Sequence, residues 1–85
     1  MPRALTLQRS IIPSGERSRH LQRLRAKRDH YRGMQCRYWA FEEAAVHGAF
    51  LEFVEADSAE TLTAAHAGAA DPPLDITRIY LEVEL

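Results

Sequence analysis

Arg28, Tyr31, Trp39 and His66 are the side chains whose types and settings could do chemistry in this chain. Arg28 lies in a helical stretch that begins after Pro13 with Ser14 as N-cap and runs to Tyr31 or Arg32, where Gly33 is expected to end it. At 100° per residue, Leu21, Leu24 and Tyr31 mark one stripe of that helix, and Arg28 falls in its middle, one turn from Leu24 and Tyr31. An arginine held there has two fates. It can pair with an acid of the sheet, Glu52 or Glu82, while its stem covers apolar surface. Or it can turn its guanidinium into a pocket and grip a carboxylate or phosphate in a fork. Inward arginines more often complete ion pairs than bind ligands, so pairing is the default. Tyr31 and Trp39, with Tyr38 and Tyr80, could line an aromatic pocket or fill a core. His66 borders the Leu62–Ala65–Ala69 stripe of a second helix and is the histidine best placed for a pocket, with a hydrogen-bonded core histidine as the plainer reading.

Other constellations are missing. His20 and His30 are ten residues apart on one helix, about 15 Å along its axis and too far to share a metal. His47 falls in a turn. No Cys/His cluster has zinc spacing and no glycine-rich phosphate loop follows a strand, so neither a metal nor a cofactor is expected. Ser10, Ser14 and Ser58 have no nucleophile context, and Cys36 on a strand reads as a small buried hydrophobe.

With 85 residues the chain supports one domain, residues 1–85, with a marginal core. Its 46% apolar and 27% charged residues are those of a globular protein. The single cysteine excludes an intrachain disulfide framework and suits a reducing cytoplasm. No apolar run reaches the ~20 residues of a membrane span, so no membrane partner is expected. Residues 1–41 hold ten Arg or Lys against two acids, and residues 42–85 hold one against ten, which leaves a net charge of −1. Opposite halves answering each other is the simplest account. With the acidic second half and no aromatics spaced for stacking on the first helix, no nucleic-acid partner is expected.

The elements that must position these residues follow from periodicity. ALTLQRSII, 4–12, alternates as a strand, with Leu5, Leu7, Arg9 and Ile11 on one face. After the first helix a second strand opens at Met34 or Gln35 and runs to Glu42 or Glu43. It contains CRYWAFEE, in which Tyr38 and Trp39 point to opposite faces. AAVHGA, 44–49, turns at Gly48 into FLEFVEA, 50–56. Asp57 is expected to cap a helix reaching Gly68, AADPPLD is a loop, and ITRIYLEVEL, 76–85, closes as a strand with Ile79, Leu81, Val83 and Leu85 on one face. The order βαββαβ predicts an α+β, ferredoxin-like domain: a four-stranded antiparallel sheet with both helices on one face. Its second face would be bare and apolar, and an apolar face in water is an association site.

The whole layout resembles the dimeric α/β barrel superfamily, in particular the small antibiotic-biosynthesis-monooxygenase-like proteins. The similarity lies in IIPSGERSRHLQRL, the arginine-rich helix ending in HYRG, and the hairpin RYWAFEEAAVHGAFLEFVEA. It implies a homodimer joined through the sheet faces, with a pocket between sheet and helices near Arg28, Tyr31, Trp39 and His66. It also implies a small apolar or acidic ligand, and a cofactor-independent monooxygenase or isomerase acting on an apolar or aromatic acid. The oxygenases of that group lean on an asparagine, and this sequence has none, so no catalytic residue is carried over. The competing reading is a non-catalytic structural or regulatory dimer.

Overall fold

The computed structural model describes residues 2–85. Strand β1 (Ala4–Ile11), helix α1 (Arg17–Gly33), strands β2 (Arg37–Glu42) and β3 (Ala49–Ala56), helix α2 (Ala59–Ala67) and strand β4 (Tyr80–Leu81) follow in that order. The sheet is antiparallel with the order β2-β3-β1-β4, which is the ferredoxin-like topology.

Alternation sets what each face carries. Ala4, Thr6, Tyr38, Phe50, Glu52, Val54 and Ala56 turn toward the helices and are buried. Leu7, Trp39, Phe41, Leu51 and Phe53 lie on the other face, which no element among the described residues covers. Trp39 there is 44% exposed and Phe41 57%. The core under the helices is built around Tyr31, Tyr38, Val54 and Leu62, with Ala4, Ala56 and Ala65 fully buried. Those alanines let the short α2 approach the sheet closely, because methyl groups leave no side-chain bulk between backbone layers.

The boundaries differ from expectation in four places. Ser14 opens a single 3₁₀ turn, Ser14–Glu16, and caps nothing with its side chain; α1 starts at Arg17. Gly33 stays inside α1, and the left-handed residue is Gln35, at φ 63°. The chain turns later because the Met34 and Cys36 amides both donate to the Tyr31 carbonyl, at 3.0 and 2.9 Å, so β2 begins at Arg37. The cap of α2 is Ser58, which accepts from the Thr61 amide, while Asp57 is taken by Arg37. The last strand is two residues long instead of ten. Leu81 pairs with Ala4, the first residue of β1, and past it only the Arg3 carbonyl receives the Glu82 amide.

The Gly48 turn stands as expected. Its φ is +89°, and a Cβ there would meet the Ile12 carbonyl oxygen at 2.5 Å, so only glycine fits where the β2–β3 hairpin crosses the end of β1.

Candidate ligand site

Helix α1 is turned about its axis relative to the stripe read from its leucines. The residues it presents to the sheet are His20, Leu24, Lys27 and Tyr31; Leu21 and Arg28 sit beside them. Both sets obey a 3.6-residue period. The choice falls to Glu52, buried on β3 between Phe50 and Val54: a buried carboxylate needs a cation, and Lys27 provides it. Lys27 Nζ lies 3.1 Å from Glu52 Oε1, and the two side chains are only 12% and 6% exposed. The Tyr38 hydroxyl donates to the same oxygen at 2.7 Å.

Arg28 therefore has neither expected partner. Its Nε donates to the adjacent Asp29 at 3.1 Å on the surface, and Glu82 is held by Arg3. Arg28 and Trp39 do share a feature, a groove of ≈ 350 Å3 between α1 and the outer edge of β2, with Arg25, Arg32 and Phe41. Tyr31 and His66 meet elsewhere, on the inner side of α1. Four residues expected in one pocket thus form two pairs on opposite flanks of one helix.

The inner pair belongs to a buried chain of two hydrogen-bonded groups joined by the stacked rings of Tyr31 and Tyr38. His66 shares hydrogen bonds of 2.8 Å with the Thr6 hydroxyl through Nε2 and with the Tyr31 hydroxyl through Nδ1. The Tyr31 ring stacks on Tyr38 at 5.9 Å, and Tyr38 leads to Glu52 and Lys27. His30 Nε2 donates to the Ala65 carbonyl at 2.8 Å and ties α1 to α2. His20 packs on Phe50, with ring centroids 4.7 Å apart, and its Nε2 is buried without a partner.

Burial sets the protonation of this chain. It pushes the Tyr31 hydroxyl up to about 12, with the Glu52 charge adding to the effect. Tyr38 is raised further, first by burial and then by its bond to Glu52. His66 is lowered by burial and by the nearby His30, and His20 by burial and by Arg23. At neutral pH the tyrosines are hydroxyl groups and His66 is a neutral imidazole with both nitrogens engaged. This arrangement offers oriented donors and one cation, and no free base for proton abstraction. Cys36, also raised by burial, is no thiolate.

Two spaces adjoin the chain. A cavity of ≈ 20 Å3, the size of a water molecule, is lined by Lys27, Tyr31, Glu52, Asp71 and Pro73 together with Thr6, Leu7 and Gln8 of β1 and Val54 of β3. Beside it a groove of ≈ 440 Å3 runs between α1 and residues 68–71, walled by Arg23, Lys27, His30 and Tyr31. Lys27, Tyr31 and Asp71 border both. Leucine spacing gave no hint of Lys27 or Asp71. The legible signal was Glu52 itself, an acid on the inward face of a strand between two apolar neighbours.

Among the described residues no group of three or more His, Cys, Asp or Glu could hold a metal ion, and no helix is long and apolar enough to cross a membrane. Comparison with family models, curated proteins and solved structures finds no match.

Proposed function

We propose that the protein is a homodimeric binding protein for a small acid with a flat apolar body, held in the groove between α1 and residues 68–71. The observation that carries this reading is the buried polar chain that ends at the groove. A domain of 85 residues has little core to spare, and a buried ion pair is weak evidence for stability. Yet Lys27, Tyr31, Tyr38, Glu52 and His66 occupy its centre. Two of them, Lys27 and Tyr31, reach a groove that also holds Arg23, and a cationic groove walled by a tyrosine suits recognition of a carboxylate on an aromatic or aliphatic body. The probe is benzoate, followed by amide chemical shifts of the whole protein. Shifts should centre on Lys27, Tyr31 and residues 68–71, and Lys27→Gln should abolish them. Shifts centred on Arg28 and Trp39 would move the site to the other flank of α1.

The bare sheet face supports the dimer. Across the strands, Trp39, Phe53 and Leu7 form one row, and Phe41, Leu51 and Arg9 the next. The rings of Phe41 and Phe53 meet edge to face at 5.7 Å. Charged pairs border this apolar middle: Arg37 with Glu55, and Arg3 with Glu55 and Glu82, at one end, Arg9 with Glu43 at the other. An apolar centre with a rim of paired charge is the anatomy of a protein interface, and a second copy brings the same pattern under a two-fold axis. Such packing gives the barrel arrangement that the sequence resembles. Sedimentation at micromolar concentration tests it: a 9.7 kDa species would refute the dimer, and capture of single-stranded oligonucleotides on this face would assign it to another partner.

A second reading, a dimer without ligand, is favoured by one observation. The space beside the Lys27–Glu52 pair, between α1 and the centre of the sheet, is only ≈ 20 Å3, too small for such a ligand without movement of the loop.

A further inference from the structure

Lys27 holds two carboxylates at once. Glu52 lies on its inner side at 3.1 Å and Asp71, on the loop after α2, on its outer side at 3.5 Å. Glu52 belongs to the central strand of the sheet and is 6% exposed, whereas Asp71 is 54% exposed. Among the described residues, the Lys27–Asp71 pair is the one polar contact that residues 70–78 make with another element. Their other bonds, Asp75 with Thr77 and with Arg78 and the Thr77 carbonyl with the Ile79 amide, are local to residues 75–79. Asp71 and Pro73 form the outer wall of the ≈ 20 Å3 cavity, and Asp71 also borders the larger groove. Between Ala69 and Ile79, which pack on the core, the loop's polar tie to the rest of the fold is thus one half-exposed ion pair.

Resting on the ligand reading above, we propose that Asp71 is a resident stand-in for the carboxylate of the ligand. The incoming acid takes the outer side of Lys27, Asp71 is released, and the loop yields so that groove and cavity join beneath the flat body of the ligand, beside Tyr31. Glu52 keeps Lys27 aimed outward throughout, and only one of its two carboxylate partners is exchanged. No bond other than hydrogen bonds and ion pairs is made or broken. The ligand class follows from this exchange: a monocarboxylate, since Asp71 presents one carboxylate, with an apolar ring or short chain. A neutral analogue cannot make the exchange.

The test compares wild-type protein with Asp71→Asn, which keeps the size of the side chain and removes its charge. Benzoate and its neutral analogue benzamide are titrated by NMR, and amide hydrogen exchange is followed over residues 69–78. A half-exposed ion pair is weak, so benzoate should bind Asp71→Asn roughly two- to fivefold tighter than wild type, benzamide should bind both proteins equally poorly, and exchange in 69–78 should quicken without any ligand. Benzoate bound at Lys27 with equal affinity in both proteins would overturn the exchange of carboxylates and leave the ligand site intact. Unchanged amide exchange would overturn the role of Asp71 in pinning the loop. Benzoate that perturbs neither protein near Lys27 would overturn the site itself.

Discussion

Lys27 and Arg28 are neighbours on one helix, and replacing each by methionine should have opposite consequences. Lys27→Met keeps the apolar stem and deletes the ammonium group 3.1 Å from Glu52 Oε1. Glu52 then remains inside the protein, 5% exposed, with the Tyr38 hydroxyl as its remaining donor. Removing one partner of a buried pair costs about 3–5 kcal/mol. The Tyr38 bond is retained and Lys27 is not wholly enclosed, so the lower end, about 3 kcal/mol, is expected. A chain of this length has a total stability of roughly 4–13 kcal/mol. With a urea m-value near 1 kcal/mol/M for so small a domain, the midpoint should fall by about 3 M. The double variant Lys27→Met/Glu52→Gln has no stranded charge and should recover most of the loss, leaving a coupling of about 2 kcal/mol between the positions. Arg28→Met, at a position joined only to Asp29 on the surface, should lie within about 0.5 kcal/mol of wild type. Urea unfolding followed by Trp39 fluorescence and by far-ultraviolet dichroism reads wild type, Lys27→Met, Glu52→Gln, the double variant and Arg28→Met, with the single Glu52→Gln variant completing the cycle. Equal midpoints for Lys27→Met and Arg28→Met would refute the phase of α1, and strict additivity in the double variant would refute the pair.

Acid should destabilise the protein in two separate windows. His66 and His20 are held neutral by burial, so the unfolded chain takes up protons near pH 6.5 that the folded chain refuses. Stability is then level above about pH 7 and falls below it by up to about 1.4 kcal/mol per pH unit for each histidine. Urea midpoints between pH 8 and 5 check this, and His66→Gln should flatten the slope. The second window belongs to Glu42, drawn down to about 2 by Arg17 and the Gly48 amide; its contribution is present above the ordinary carboxylate range and lost as pH falls toward 2. Gly48→Ala should cost at least about 2 kcal/mol, since a left-handed residue and a backbone clash coincide there. Gly33→Ala, in α1 with open space around it, should add up to about 1 kcal/mol. Phe41→Glu, in the middle of the bare sheet face, should yield a folded monomer by sedimentation if that face joins two copies.

The fold was legible because it depends on alternation and punctuation. Tyr38 and Trp39 point to opposite faces as their adjacency in a strand requires, and Gly48 turns the hairpin. What depends on pairing between distant elements was less legible. The ten-residue last strand had the right alternation, but residues past Leu81 run beyond Ala4, where β1 begins, and residues 75–79 bond among themselves in a turn around Asp75 in place of pairing with β1. Ser58 and Asp57 are both good caps in isolation; Arg37, twenty residues away, takes Asp57 and leaves the cap to Ser58. The phase of α1 is the most instructive case. A helix with few apolar residues has no hydrophobic stripe strong enough to orient it, so its inward face is chosen by the acid beneath it.

That choice also divides the molecule's tasks. With Lys27 inward, the arginines at 25, 28 and 32 fall on the outer flank of α1, beside β2 and the rim of the bare sheet face. The groove at Tyr31 opens on the opposite flank, between α1 and the loop after α2. Had Arg28 faced the sheet, a single guanidinium would have had to serve both Glu52 and any ligand. Rotating the helix by one residue gives the buried acid its own cation and leaves that cation's outer side for exchange. The surface proposed to join two copies and the groove proposed to take a ligand then lie on different sides of α1, with Leu7 of β1 reaching both the sheet face and the small cavity. Assembly and binding can be altered separately because the sheet divides Trp39 from Tyr38.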